Sequence, residues 1–206
     1  MIPRRALLAF GLLAMAAASP AGAKPHVGQP APAFQAVDAD GRTRTLAEFQ
    51  GRVVVLEWTN NGCPYVGKHY SSGNMQRLQR QAVKDGVVWL TVVSSAPGMQ
   101  GHLTAPQAKA WKAKTKAAST AVLLDPTGRA GRAYDARVTP HMFVVDRNGR
   151  LVYMGGIDDK ASSEPESLKG ATNYVTAALS DLKAGRPVAT PVTRPYGCGV
   201  KYGSAD

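Results

Sequence analysis

The 206-residue chain has only two cysteines, Cys63 and Cys198, which excludes the disulfide framework that staples many small secreted domains. It also lacks a hydrophobic run able to span a bilayer. The strongest candidate, Ala6–Ala18, has 13 residues, whereas a membrane helix needs about 20. Acidic residues are scarce, 14 against 25 Lys and Arg, for a formal charge of +11. Such a balance can attract nucleic acid or anionic surfaces. The cations are scattered, however (Arg42, Arg44, Lys109, Lys112, Lys114, Lys116, Arg129, Arg132), and form no nucleic-acid-binding motif, so no nucleic-acid partner is expected. Lys109 to Lys116 reads as a solvated helix face. No internal repeat is visible.

The first 23 residues differ from the rest. Arg4-Arg5 makes a basic start, Ala6–Ala18 an apolar stretch, and Ala21-Gly22-Ala23 a small-residue cleavage site, which is the pattern of a secretory signal peptide. Arg4-Arg5 also fits twin-arginine export, but an ordinary basic start is the reading adopted. The expectation is therefore export to the periplasm after cleavage near Ala23, with no membrane anchor. Removing Arg4 and Arg5 leaves about +9 on the mature chain. Residues 24–184 are long enough for one domain with a substantial core, and residues 185–206 form a C-terminal tail carrying Cys198.

Within the domain, hydrophobic patterning alternates between strand and helix. Residues 53–58 and 87–94 read as strands buried on both faces, and Met142–Val145 as another. Asp146-Arg147-Asn148-Gly149-Arg150 is hairpin-turn chemistry leading back through Leu151–Tyr153. Helices are expected over 65–84, with a weak point at Ser71-Ser72-Gly73, over 105–116, into Tyr134, and over 168–183. This alternation specifies an α/β fold. The tail, with Pro187, Pro191 and Pro195, shows no periodicity and is expected to be extended and mobile.

Cys63 follows the strand and the loop Thr59-Asn60-Asn61-Gly62, and Pro64 follows it. Proline suits the first turn of a helix because its missing N–H is not needed there. A thiol at a helix N-terminus meets unpaired N–H groups and the positive end of the helix dipole, which favour the reactive thiolate. Cys63 thus reads as a redox or nucleophilic site, and any partner thiol in the same chain must be Cys198. Val138-Thr139-Pro140 precedes a core strand, a place where a cis bond is plausible.

Taken in order, these features resemble the thioredoxin-like superfamily and, within it, the peroxiredoxin-like redoxin branch (AhpC/TSA, redoxin domain). Val27–Phe34 is similar to that branch's entry segment, Leu46–Val55 to its helix and first central strand, and Glu57–Val66 with Lys68-His69-Tyr70 to its active-cysteine segment. Thr139-Pro140 matches the cis-proline that packs against the active cysteine, and Arg194–Cys198 looks like a tail element of the subgroup. The resemblance covers about residues 27–184. It implies a thioredoxin-like fold, a central mixed β-sheet flanked by helices, and a thiol-dependent oxidoreductase or antioxidant acting on a small peroxide or a protein disulfide.

In that reading Cys63 is the peroxidatic or exchanging thiol and Cys198 the resolving one, Asn60 or Thr59 orients a peroxide, and Thr139 and Pro140 complete the site. The reducing partner and the oligomeric state are not named by the sequence. Four departures qualify the match: Val66 stands where a Cys-x-x-Cys motif has its second cysteine, Asn60 stands where peroxiredoxins carry a threonine, Leu56 replaces an upstream proline, and their catalytic arginine has no match by spacing. Two other roles for Cys198 stay open, a static Cys63–Cys198 bridge in a non-catalytic scaffold or binding protein, and a bridge between chains. His69 and His141 raise the question of copper, but copper-carrying relatives place two cysteines in one loop. No metal and no cofactor is expected. Near Cys63, His141 would stabilise the thiolate, but the reading preferred for it is a hydrogen-bonded histidine at a strand start; Asp158-Asp159 is expected in a loop or a solvated helix start, not as a catalytic pair.

Overall fold

The computed structural model describes residues 24–204; the expected signal peptide, residues 1–23, lies outside them. In chain order the strands are β1 (Gln35–Asp38), β2 (Thr43–Thr45), β3 (Val54–Trp58), β4 (Val88–Val93), β5 (Ala121–Leu124), β6 (Val138–Thr139), β7 (His141–Val145), β8 (Leu151–Gly155) and β9 (Cys198–Gly199). The helices are α1 (Pro64–Ser71), α2 (Asn74–Lys84), α3 (Ala105–Thr115), α4 (Arg129–Ala133) and α5 (Tyr174–Lys183). Seven strands form one sheet in the order β2-β1-β5-β4-β3-β7-β8. β3, β4 and β5 run parallel, while β7 lies antiparallel to β3, so the sheet is mixed and α/β as the patterning specifies.

The central strands are fully buried because both sheet faces are covered. Val54, Leu56 and Trp58 face Phe143, Tyr134 and the α4 side. Val55 faces α1, α2 and α5 through Val66, Met75, Val175 and Ala178. α3 joins by packing Ala108 against Val93 and Val122. Burying such apolar side chains stabilises the fold by roughly 1.5–3 kcal/mol each. The 65–84 segment divides at the weak point, where Gly73 adopts φ 72°, a backbone region open to glycine at little cost.

Two expectations need correction. The last helix starts at Tyr174, not at 168: Pro165–Leu168 is a short 3-10 turn, Gly170 has φ 71°, and Asn173 caps α5 by accepting the Thr176 N–H at 2.8 Å. The tail is extended but docked along its length. Met154 donates to Pro191 O at 3.0 Å, Thr193 N donates to Met154 O at 3.1 Å, Val200 N to Arg137 O at 3.0 Å, and Ala96 N to Lys201 O at 2.9 Å. Tyr202 then donates to Ala136 O at 2.6 Å. These partners are scattered between residues 96 and 154, so no local periodicity announces them.

Candidate functional site

Cys63 occupies the N-cap of α1 with Pro64 in the first turn and no side chain capping the helix end. The turn before it is braced. Cys63 N donates to Asn60 O at 3.0 Å, and Asn60 Oδ1 accepts Gly62 N at 2.8 Å. The Asn60 amide donates to Gln100 O and Oε1 at 3.3 and 3.1 Å, and Gln100 Nε2 returns a bond to Gly62 O at 2.9 Å. Asn60 is thus brought to the site, but its amide is committed to holding the turn and is not free to orient a peroxide. Thr59 Oγ1 is buried and has no hydrogen-bond partner among the described residues.

The cis Thr139–Pro140 peptide lies across from Cys63. The Cys63 thiol donates to Thr139 O at 3.1 Å. Thr139 also pairs with Cys198 in the antiparallel β6–β9 ladder, and its hydroxyl donates to Cys198 O at 3.4 Å. One residue therefore meets both cysteines. Both are free thiols, Cys63 buried at 2% exposure and Cys198 half-buried.

Their ionisation is unequal. Burial pushes the Cys63 thiol up, but hydrogen bonds from the Cys198 thiol, Thr139 and the Val66 N–H outweigh it, and the net displacement is downward. Burial, followed by the bond to Cys63 and its charge, pushes Cys198 up to about 11. As the pH rises, the first thiolate belongs to Cys63, with Cys198 retained as the protonated neighbour.

Neither histidine behaves as a cationic partner for this sulfur. Burial, with Arg137 nearby, depresses His141 to about 3. Its Nδ1 accepts the Arg137 N–H at 3.3 Å and its ring packs on Phe143. His69, likewise held neutral at about 3 by burial and by Lys68, belongs to a separate buried cluster with Lys68, Asp158 and Tyr196. Asp158 lies in the loop after β8, yet it is only 2% exposed.

Residue patterning missed this cluster because its members come from three distant segments. It also passed over Glu57, for which there was a signal: an ionisable side chain inside the apolar run 53–58. Glu57 is fully buried and accepts from Trp89 Nε1 (2.7 Å), Tyr70 OH (2.8 Å), Gln79 Nε2 (3.1 Å) and Thr91 Oγ1 (3.3 Å).

Comparison with known proteins agrees with this fold. A solved protein described as hypothetical from Sinorhizobium meliloti superposes with a TM-score of 0.77 at 25% identity, covering 89% of this chain and 98% of that one. An uncharacterised conserved protein from Geobacillus kaustophilus gives 0.76 at 24% identity, over 88% and 94%. A candidate thiol:disulfide interchange protein, DsbE, from Chlorobium tepidum gives 0.51 at 24% identity, over 64% and 85%. The search of curated proteins found no match. The redoxin family model matches residues 26–171, a span that contains Cys63, Thr139 and Pro140, and the chain belongs to the redoxin family of thiol oxidoreductases, with a thioredoxin-like fold.

Proposed function

We propose that the chain is an exported, thiol-dependent peroxide reductase in which Cys63 attacks and Cys198 resolves. The observation that carries this reading is the β6–β9 ladder, which sets Cys198 opposite Thr139 while the Thr139 carbonyl accepts from the Cys63 thiol. The N-terminal export pattern of residues 1–23 supports a periplasmic setting, where a two-cysteine cycle can operate.

The chemistry follows from the unequal thiols. The Cys63 thiolate attacks one oxygen of a peroxide, the O–O bond breaks, and the other oxygen leaves as an alcohol or water after taking a proton. Cys63 is then a sulfenic acid. The Cys198 sulfur attacks Cys63 Sγ, the hydroxyl leaves as water with the Cys198 proton, and a disulfide forms. An external dithiol restores both thiols by exchange. Val66 rules out a dithiol within the Cys63 loop, so the second thiol must arrive on the tail.

The test is mass spectrometry of the reduced mature protein after one equivalent of hydrogen peroxide. The expected product is a Cys63–Cys198 bridge, and Cys198→Ser is expected to accumulate a sulfenic acid at Cys63 trappable by a cyclic dione. Finding neither the bridge nor the sulfenic acid overturns the proposal.

A further inference from the structure

The tail residue two positions before Cys198 enters a buried polar cluster that the cysteine chemistry itself does not use. Lys68, on α1, has a side chain with no solvent exposure. Its Nζ donates to Lys160 O at 2.9 Å, to Ser167 Oγ at 3.4 Å and to Tyr196 OH at 3.3 Å, and lies 4.0 Å from Asp158 Oδ2. The Tyr196 hydroxyl donates to Asp158 Oδ1 in a short bond, and Lys160 N donates to the same oxygen at 2.9 Å. Asp158 Oδ2 has no hydrogen-bond partner among the described residues and faces the Lys68 and His69 nitrogens at 4.0 and 3.9 Å.

His69 closes the cluster. Asn74 Oδ1 accepts from Arg77 at 2.6 Å, which leaves the Asn74 amide N–H to donate to His69 Nδ1 at 2.8 Å. The ring proton therefore sits on Nε2, 3.4 Å from the Tyr196 oxygen. The Tyr196 ring is also held, edge-on to Tyr65 with centroids 5.9 Å apart and with Lys68 Nζ 5.1 Å from its centroid.

A buried ion pair tolerates desolvation only when hydrogen bonds complete it, and here the completing hydroxyl comes from the tail. We infer that Tyr196, seated between Lys68, His69 and Asp158, is a positioning residue: the cluster is a latch that fastens the tail so that Cys198 meets Cys63. The proposal rests on the Cys63–Cys198 cycle for its purpose, while the seating itself is measurable without that cycle. Removing the hydroxyl takes one of two charge-assisted donors from the Asp158 Oδ1 carboxylate oxygen, leaving the Lys160 N–H; such bonds are the strong class, and the tail dissociates more often.

The experiment uses the full mature chain as wild type, Tyr196→Phe and Asp158→Asn. Tyr196→Phe keeps the ring contacts and loses only the hydroxyl, so it is the variant expected to fold normally; Asp158→Asn removes the charge at the other end of the bond. The first readout is iodoacetamide alkylation of Cys63 in the reduced protein, expected to be about tenfold faster in both variants because the tail uncovers the sulfur more often. The second is the Cys63–Cys198 equilibrium in glutathione buffers, expected to fall by about tenfold, a shift of about 30 mV in the two-electron potential. Unchanged alkylation rates in both variants overturn the latch. Faster alkylation in the variants with no bridge in the wild type, at any buffer ratio, sustains the latch and overturns the cysteine cycle instead. Faster alkylation with an unshifted equilibrium overturns the positioning role.

Discussion

Gly197→Ala is expected to slow Cys63–Cys198 bridge formation on the order of 100-fold while leaving the α/β core folded. Gly197 has φ 134°, in the half of backbone space that side chains resist. A Cβ there would run into the Thr139 carbonyl oxygen, with Thr139 C at 2.7 Å and Pro140 N at 3.3 Å. These are backbone atoms of the β6 strand and the cis bond, so no side chain can swing aside to make room. Backbone strain alone costs about 1–3 kcal/mol, and the overlap adds to it. The cheapest relief is to lift β9 away, which carries Cys198 with it.

Gly199→Ala supplies the matched control in the same strand. A Cβ at Gly199 meets nothing nearer than Arg137 O at 3.9 Å, and the bridge is expected to form at nearly the wild-type rate. Stopped-flow peroxide addition followed by acid quench and mass analysis measures both variants. Equal rates in Gly197→Ala and the wild type would show that the seated tail is not the route by which Cys198 reaches Cys63. Far-ultraviolet circular dichroism checks that the core is retained, which is expected because the tail docks on a sheet already complete without it.

Thr139 explains why this small strand matters so much. Its carbonyl accepts from the Cys63 thiol, its hydroxyl donates to the Cys198 carbonyl, and its backbone forms the ladder with Cys198. The Cβ of Gly197→Ala therefore runs into a residue that meets both sulfur-bearing residues. Cys63 also differs from a freely exposed thiol, being 2% exposed and bonded to the Thr139 carbonyl.

Much of this arrangement was legible in the sequence, and what was hidden shares a physical reason. The runs at 53–58, 87–94 and 142–145 marked β3, β4 and β7 because strands covered on both faces have no polar side to show. Pro64 fixed the start of α1, and Ser71-Ser72-Gly73 marked its end because that segment cannot extend a helix without cost. Cys63, Thr139 and Pro140 were visible as local chemistry, and the structure brings them together. The docked tail was not visible, since its pairing with Met154, Arg137 and Ala96 is long-range and its own composition is that of a loop. Lys68, Asp158 and Tyr196 were hidden likewise: each alone is an ordinary surface residue type, and only the fold buries them against one another. Asn60 shows the converse, a loop residue next to Cys63 whose amide donors are already engaged by Gln100.

Glu57→Gln is expected to make the protein more stable at pH 8 by roughly 3 kcal/mol and to change little at pH 4.5. Burial in β3 raises Glu57 from 4.5 to about 7, against the opposing pull of the Trp89, Tyr70, Gln79 and Thr91 donors. Between those two values the unfolded chain has lost this proton and the folded chain still holds it. The unfolded state then binds fewer protons, so stability falls as the pH rises from 4.5 to 7 and is flat with respect to this group outside that window. Glutamine reproduces the protonated carboxyl. Its oxygen at the Oε2 position keeps the bonds from Trp89, Gln79 and Thr91; at the Oε1 position, where the Tyr70 hydroxyl donates to Glu57, an amide requires that hydroxyl to turn and accept, as a carboxylic O–H there would. Urea denaturation at pH 4.5 and pH 8 gives the comparison directly. Curves for the two proteins that shift in parallel with pH would show that Glu57 carries no part of the pH dependence, and a variant less stable at pH 8 would show that the ionised carboxylate, with its four donors, is the form the fold prefers.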